Sequence, residues 1–404
     1  MERVISFVGL LCMVAIAFLL SADKKKINWK TVISGVVLQM ILGLIILKSS
    51  IGHKVFETAR ATFQGVLNFT NEGSMFIFGS LADSSKMGFV FFTMVLPTII
   101  FMSALMSILY HLGIMQVVIK MVAKAMVKIM GTSGAESLAA AANIFAGQTE
   151  APLVIRPFVS KMTKSEIMAL MTGGMATVAG GVLAAYVGFG IDAGHLLAAS
   201  VMSAPAALVC AKLLVPETEE SLTQGDVKVH LPKTTANLVD AAASGAGEGM
   251  KLAINVGAML LAFIALIAMV NGLLSLVGGW FSFPQLSLEL ITGYLFWPVA
   301  WLMGIPAADC MAVGSLLGKK LIINEFVAYL DLKDQLTTLS PRSVAISTYA
   351  LCGFANFSSI AIQVGGIGTI APDRRTDLAL LGVKSLIGGT LACLMTACIA
   401  GIFL

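Results

Sequence analysis

Charge is what this chain has least of. Of its 404 residues only 12% are charged, 26 Lys and Arg against 22 Asp and Glu, where a soluble domain carries about 25%. Hydrophobic residues make up 58%, and the mean hydropathy is +0.93. Without a charged skin, a cytosolic enzyme or a disordered chain is excluded. The net charge of +4 is too small and too scattered for a nucleic-acid footprint. Histidine is scarce as well: His53, His111, His195 and His230 are far apart, with no metal-site spacing. The six cysteines (Cys12, Cys210, Cys310, Cys352, Cys393 and Cys398) form no CxxC and lie in or beside apolar stretches, as small packing residues do. Polar–apolar alternation of the kind that builds a membrane β-barrel is also missing. The apolar runs are continuous and reach the roughly 20 residues that span a bilayer as helix. What is present, including 39 Gly and 23 Met, suits close packing of helices. The composition predicts an all-α polytopic membrane protein.

Along the chain, residues 4–20 form a first apolar run, and Lys24, Lys25, Lys26 and Lys30 follow it. A cleaved signal peptide carries its positive charge before the run, so the order predicts a retained helix with the N-terminus outside. Further spans are expected at 31–48 and 88–112, with a more polar stretch between them. In 114–131, Lys120, Lys124 and Lys128 recur every four residues on a Met/Val/Ile-rich background, the pattern of an amphipathic helix at the cytoplasmic interface. Segment 132–160 is apolar enough to enter a membrane, yet it carries Glu136, Asn143, Gln148, Thr149, Glu150 and Arg156, with small residues and Pro152 near its middle. It reads as two half-helices with a break, a re-entrant hairpin. Spans follow at 165–190 and 194–215, then a soluble stretch at 216–246, then a long span at 250–280. The order then recurs: an interrupted segment at 285–330, a span at 343–370 broken at GFANFSSI (353–360), and a last span at 377–403.

Each half thus contains an interrupted hairpin, a broken span and an ordinary span, and each hairpin carries one carboxylate, Glu150 or Glu325. Matching interrupted segments in two halves point to a transporter site. The positive clusters at 24–30, 120–128, 156–164, 212–251 and 374–384 fall on one side if the halves are inverted relative to each other. Lys319, Lys320, Lys333 and Arg342 do not fit that assignment.

Charge at membrane depth costs several kcal/mol and marks a pathway or a site. Glu150 and Glu325 sit where the helices break, and broken helices offer free N–H and C=O groups. Gln148, Thr149 and Glu150 supply an amide, a hydroxyl and a carboxylate in a row, a match for a nucleobase edge. Asn324, Glu325, Asn356 and Ser359 suit hydroxyls such as those of a sugar. Asn143, Thr177 and Ser203 offer neutral oxygens of the type alkali cations accept. GSLLGKK (314–320) departs from the phosphate-loop pattern in its spacing and in ending on Lys. The two glycosylation matches, at Asn68 and Asn356, carry no weight, since the second lies in an apolar span. A membrane-embedded enzyme would need a nucleophile–base or metal set, and neither is apparent, so no enzyme is expected. A passive channel would differ from a transporter in failing to concentrate its solute.

GQTEAPLVIRPF (147–158), MTKSEIMALMTGGMATVAGGVLAAYVGFG (162–190), NEFVAYL (324–330) and GFANFSSIAI (353–362) resemble the concentrative nucleoside transporter family, and the resemblance covers essentially the whole chain, which looks like a bacterial member. It implies eight transmembrane helices, two re-entrant helical hairpins with an inverted-repeat transport domain, and a homotrimer in the cytoplasmic membrane. It implies scaffold helices in 1–113, an interfacial helix at 114–131, a first transport repeat at 132–215, a cytoplasmic loop at 216–249, a long scaffold helix at 250–283 and a second transport repeat at 284–404. It assigns nucleobase contacts to Gln148, Thr149, Glu150 and Val182, and ribose contacts to Glu325, Phe354, Asn356 and Ser359. It assigns sodium, the coupling ion, to Asn143, the Ala146 carbonyl, Thr177 and the Val178 carbonyl. Some proton-coupled relatives lack that Asn; its presence favours sodium over proton coupling. The expected function is sodium-coupled uptake of nucleosides of the uridine, cytidine and adenosine class by an elevator-like mechanism.

Overall fold

A computed structural model describes residues 1–88, 90–224 and 235–404. Asp226, Lys228, His230 and Lys233 of the soluble stretch lie outside the described residues. Among the described residues every regular element is helical. In chain order these are α1 (Glu2–Leu19), α2 (Trp29–Lys48), α3 (Ser50–Phe78), α4 (Ser84–Met87), α5 (Phe91–Met94), α6 (Leu96–His111), α7 (Ile114–Met130), α8 (Gly134–Asn143), α9 (Ala151–Val154), α10 (Arg156–Val159), α11 (Lys164–Ala176), α12 (Gly180–Gly188), α13 (Ala193–Leu214), α14 (Leu238–Trp280), α15 (Leu288–Leu302), α16 (Cys310–Ile322), α17 (Glu325–Asp334), α18 (Pro341–Leu351), α19 (Phe357–Ile370) and α20 (Arg375–Phe403). Among the described residues seven stretches of helix are long and apolar enough to cross a membrane.

Local chemistry sets these boundaries. α8 and α11 open on reciprocal capping boxes, Ser133 with Glu136 and Thr163 with Glu166, each satisfying two otherwise unpaired N–H groups. Asn324, Ser340 and Asn356 cap α17, α18 and α19. α7 runs between Gly113 and Gly131, both at positive φ, where glycine alone is unstrained. α14 can lie close along α6 because it carries Gly245 and Gly249 at the contact. A Cβ on Gly249 would stand 2.7 Å from the Ile100 Cα.

The core helices α11, α12 and α13 are less apolar than the outer ones: mean hydropathy is 1.7 over α11–α12 and 1.8 over α13, against 2.1 for α1 and α2 and 2.5 for α14. The span over α11 and α12 is 94% buried and α13 is 89% buried, whereas the most apolar window of α14 is only 6% buried. α20 lies at the centre, against α1, α2, α11, α13, α18 and α19. A helix that is hydrophobic all round and still exposed has lipid or protein as its solvent.

The order α7–α13 recurs as α15–α20. A helix lies along the first arm of a pair (α7 on α8, α15 on α16). A break and a second arm follow (α9 with α10; α17), then a helix interrupted in its middle (α11–α12; α18–α19), then a long helix (α13; α20). The second interrupted segment therefore has two breaks rather than one. The first break, at 303–309 after α15, has Gly304 at φ +84, and the second, at Ile323–Asn324, separates the paired arms α16 and α17.

One stretch differs from its sequence reading, and another takes a form that its composition did not specify. α14 begins at Leu238, inside the expected loop 216–249, and Asn237 caps it by accepting the Asp240 N–H at 2.9 Å. The polar stretch after residue 48 forms the 29-residue α3. In both, hydropathy reports solvation, while Ala-rich and amphipathic sequences form helix whether or not they enter a membrane. α3 is pinned to α13, where Arg60 donates to Asp192. Burial alone would raise the Asp192 carboxyl, but Arg60 and the His195 N–H outweigh it and hold the group below the usual carboxylate range.

Three of the four charges that did not fit the topology are held within the structure. Lys319 pairs with Asp331 at 2.8 Å and Glu289 at 3.2 Å. Lys320 is buried. Arg342 pairs with Glu2 and donates to the Gly304 and Gly401 carbonyls. None of the three is the free loop charge that the positive-inside rule counts.

Candidate functional site

The broken elements of both halves meet at one cavity of about 180 Å³. Its polar lining is Gln148, Thr149, Glu150, Asn324, Glu325, Asn356, Ser358 and Ser359, all from the breaks and the helix ends beside them. Val182, Phe354, Phe326 and Ile362 add apolar surface, and Leu252, Val256, Met259 and Leu260 of α14 form a wall without a hydrogen-bonding side chain. All eight residues expected to contact substrate line this cavity.

Glu150 follows the break after α8, and its side chain accepts the Gly147 N–H at 2.9 Å. Thr149 and Glu150 are exposed to the cavity. Gln148 is buried and bridges the halves: its Nε2 donates to Ser359 Oγ at 3.1 Å, and its Oε1 accepts from Gln363 Nε2 at 3.1 Å. Gln363 also donates to the Met171 carbonyl at 3.0 Å, so α19 is tied to both the first hairpin and α11.

On the other side Glu325 is 4% exposed. It accepts from Tyr186 Oη at 3.2 Å and from Asn356 Nδ2 at 3.0 Å. Asn356 serves two elements at once, since its Oδ1 accepts the Ser359 N–H at 2.9 Å and Ser358 Oγ at 2.7 Å. The N-terminal ends of α17 and α19 both open toward the cavity, and helix N-termini favour electron-rich ligand atoms. Tyr186 stacks on Tyr329 at 4.2 Å and is fully buried.

A second group of expected residues lies beside the cavity, where the end of α8 meets the α11–α12 break. Asn143 is 1% exposed, and neither Oδ1 nor Nδ2 has a hydrogen-bond partner. Thr177 and Val178 lie in the break itself and are buried. The Gly180 N–H donates to the Phe145 carbonyl at 2.9 Å, which joins the two loops. Among the described residues the Ala146 and Val178 carbonyls accept no backbone hydrogen bond outside the helices, and Thr177 Oγ1 donates to the Gly173 carbonyl, leaving its lone pairs free. Buried polar atoms are ordinarily paired. An orphaned amide, a hydroxyl and two carbonyls in one place are a donor set of neutral oxygens, which fits a desolvated alkali cation. Ser203, also considered for a cation, is 3.4 Å from Thr396 Oγ1 instead.

The sequence did not mark the α14 wall, because apolar residues on an apolar helix carry no signal. Tyr186 and Gln363 were missed too. Their signal was weak: single polar groups within spans, each 139 or more residues from its partner.

Three family profiles match consecutive parts of the chain: the Na+ dependent nucleoside transporter N-terminus over residues 8–81, a nucleoside recognition region over 92–193, and the Na+ dependent nucleoside transporter C-terminus over 195–401. An uncharacterized transporter of Haemophilus influenzae is 48% identical over 99% of this chain and 97% of its own. Among solved structures, that of CNTnw in an inward-facing substrate-bound state has a TM-score of 0.95 at 48% identity, covering 100% of this chain and 98% of the other. A substituted variant of CNTnw in an outward-facing state has a TM-score of 0.96 at 47% identity, covering 100% and 99%.

Proposed function

This chain belongs to the Na+-dependent nucleoside transporter family, and we propose that it takes up nucleosides of the uridine, cytidine and adenosine class together with sodium across the cytoplasmic membrane of a bacterium. It is a multi-pass membrane protein of a transporter fold and not an enzyme. One observation carries the reading: every hydrogen-bonding side chain of the cavity comes from the two repeats, while α14 offers only Leu252, Val256, Met259 and Leu260. A polar solute held by the repeats keeps its hydrogen bonds as they move, and the apolar wall slides past without a bond to break. That is the physical requirement of an elevator.

In this reading α1, α2, α3, α6 and α14 form the scaffold, and 132–215 and 284–404 form the moving, inverted repeats, with α8–α10 and α16–α17 as the re-entrant hairpins of an eight-span protomer in a homotrimer. Gln148, Thr149, Glu150 and Val182 face the nucleobase. Glu325, Phe354, Asn356 and Ser359 face the ribose, with both carboxylates accepting charge-assisted hydrogen bonds. Sodium is held by Asn143, Thr177 and the Ala146 and Val178 carbonyls. It orders the first break and so raises nucleoside affinity, and linkage requires the nucleoside to raise sodium affinity equally.

The test is accumulation of labelled uridine in proteoliposomes, with sodium replaced by choline at fixed pH. Uptake should require sodium, and uptake indifferent to sodium but driven by a proton gradient would favour proton coupling. Glu150→Gln should abolish uptake while leaving the purified protein's oligomeric state unchanged. Undiminished uptake by that variant refutes the role of Glu150.

A further inference from the structure

Gln363 of α19 is fully buried. Its side chain donates both amide hydrogens and, among the described residues, accepts nothing. Nε2 lies 3.0 Å from the Met171 carbonyl of α11 and 3.1 Å from Gln148 Oε1, while Oε1 has no partner. Buried polar atoms are ordinarily paired, so an amide held in this way is placed for its donors. Gly174 leaves room for it: a Cβ there would stand 2.8 Å from Gln363 Nε2 and 2.9 Å from Gln148 Cβ.

These contacts fix a direction. The two ends of an amide are told apart by their partners. A main-chain carbonyl can only accept, so the Met171 carbonyl turns the nitrogen of Gln363 toward itself. The second hydrogen of that nitrogen then turns the oxygen of Gln148 toward Gln363. The nitrogen of Gln148 is left facing Ser359, where it donates to Oγ at 3.1 Å. Gln148 and Ser359 both line the substrate cavity. Gln148 has therefore turned its acceptor to Gln363, and its second amide hydrogen lies on the side of Ser359 and the cavity. Glu150, two residues on, is its opposite, since an ionised carboxylate only accepts.

We propose that Gln363 is a positioning residue for base selectivity. It locks the Gln148 amide so that the first half of the site offers a donor at Gln148 and an acceptor at Glu150. This rests on the reading of those two residues as nucleobase contacts. The matching class of base has a carbonyl beside a ring N–H, as in uridine and inosine. Cytidine and adenosine carry an amino group in place of that carbonyl and a bare ring nitrogen in place of the N–H. The ribose, held by the second half, keeps the base from sliding to exchange the two.

Gln363→Glu tests the lock because it changes the hydrogen count and little else. The new carboxyl, being buried, holds its proton. Its O–H has one hydrogen and lone pairs where the amide nitrogen had two hydrogens. The hydrogen goes to the Met171 carbonyl, and a lone pair faces Gln148. The Gln148 amide turns over to donate to it. Ser359, whose hydroxyl can donate as well as accept, holds the other end. These groups stay paired, but Gln148 now offers the cavity an oxygen.

The experiment uses the full chain in proteoliposomes at high sodium and measures the KM for labelled uridine and for labelled cytidine. In Gln363→Glu the ratio of the cytidine KM to the uridine KM should fall by about tenfold or more, the scale of one hydrogen bond lost to uridine and one gained by cytidine. A residue that only packed would move both KM values together. A ratio that stays at the wild-type value, or that rises, overturns the inference. If Gln363→Glu does not fold, Gln363→Met takes its place, since it fills similar space without a donor and leaves the Gln148 amide unlocked. Its ratio should move toward 1, and an unmoved ratio overturns the inference. Failure of both variants to fold makes Gln363 a packing residue and overturns it too. Wild-type protein that takes up neither nucleoside defeats the reading on which this rests, whereas wild-type uptake with an unmoved ratio in the variants defeats this inference alone.

Discussion

Asn356 gives the sharpest test of the site, because one side chain does two separable jobs there. Its Oδ1 caps α19, and its Nδ2 donates to Glu325 at 3.0 Å. Asn356→Ser can still cap, since Ser is as good an N-cap as Asn, but it cannot reach Glu325. It loses a hydrogen bond to a charged group, about 1.5–3 kcal/mol. If that loss is felt in nucleoside affinity, the fall is roughly tenfold to a hundredfold. Asn356→Asp also keeps the cap, and it replaces the donor by a second carboxylate beside Glu325. At 4 Å and an effective dielectric of about 20, two like charges repel by about 4 kcal/mol. Added to the lost donor, this comes to about 6 kcal/mol, more than a thousandfold. Two carboxylates at this distance escape by sharing a proton, and the shared hydrogen restores the missing donor. Uptake of labelled uridine at saturating sodium should therefore rank wild type, then Ser, then Asp at neutral pH. Lowering the pH toward about 5.5 should raise uptake by the Asp variant relative to the Ser variant, because the proton is needed only where the second carboxylate stands. An Asp variant that equals or exceeds the Ser variant at neutral pH, or that shows no gain on acidification, would refute the Asn356–Glu325 contact as the second half's organising bond.

Two further outcomes follow from other parts of the structure. Asn143→Ala removes the one side-chain amide of the orphaned oxygen set, so the sodium concentration for half-maximal uridine binding should rise by about tenfold or more, while binding at saturating sodium persists; an unchanged sodium response removes Asn143 from the ion site. Lys212 joins Glu136 at 2.7 Å, Glu217 at 3.3 Å and Ser165 at 3.0 Å, so Lys212→Met leaves Glu136 buried and unpaired at a cost of about 3–5 kcal/mol. Thermal unfolding in detergent should occur at a lower temperature with the uridine KM unaltered, and an undiminished unfolding temperature contradicts the pairing.

How much of this was legible in the sequence follows from what a polar residue costs in an apolar helix. Glu150, Glu325, Gln148 and Asn356 stood out because burial of each needs a reason, and the structure brings all four to one cavity. The interruption at 353–360 was legible because Gly353 and Asn356 break a helical pattern, and α18 ends at Leu351 as α19 opens on Phe357. The α14 wall was not legible, since Leu252 and Met259 look alike whether they face substrate, lipid or protein. The start of α14 was misread because NLVDAAASGAGEGM is polar by hydropathy yet forms helix.

Lys320 was visible and misassigned. Counted as a loop charge, it contradicted the inverted topology; buried at the α18 break, it ceases to be a loop charge at all. The positive-inside rule presumes that a lysine is held by water and lipid headgroups. A lysine buried against the carbonyl of Ala350 at a helix end is held by neither, so counting it among loop charges weighs against a topology on which it has no bearing.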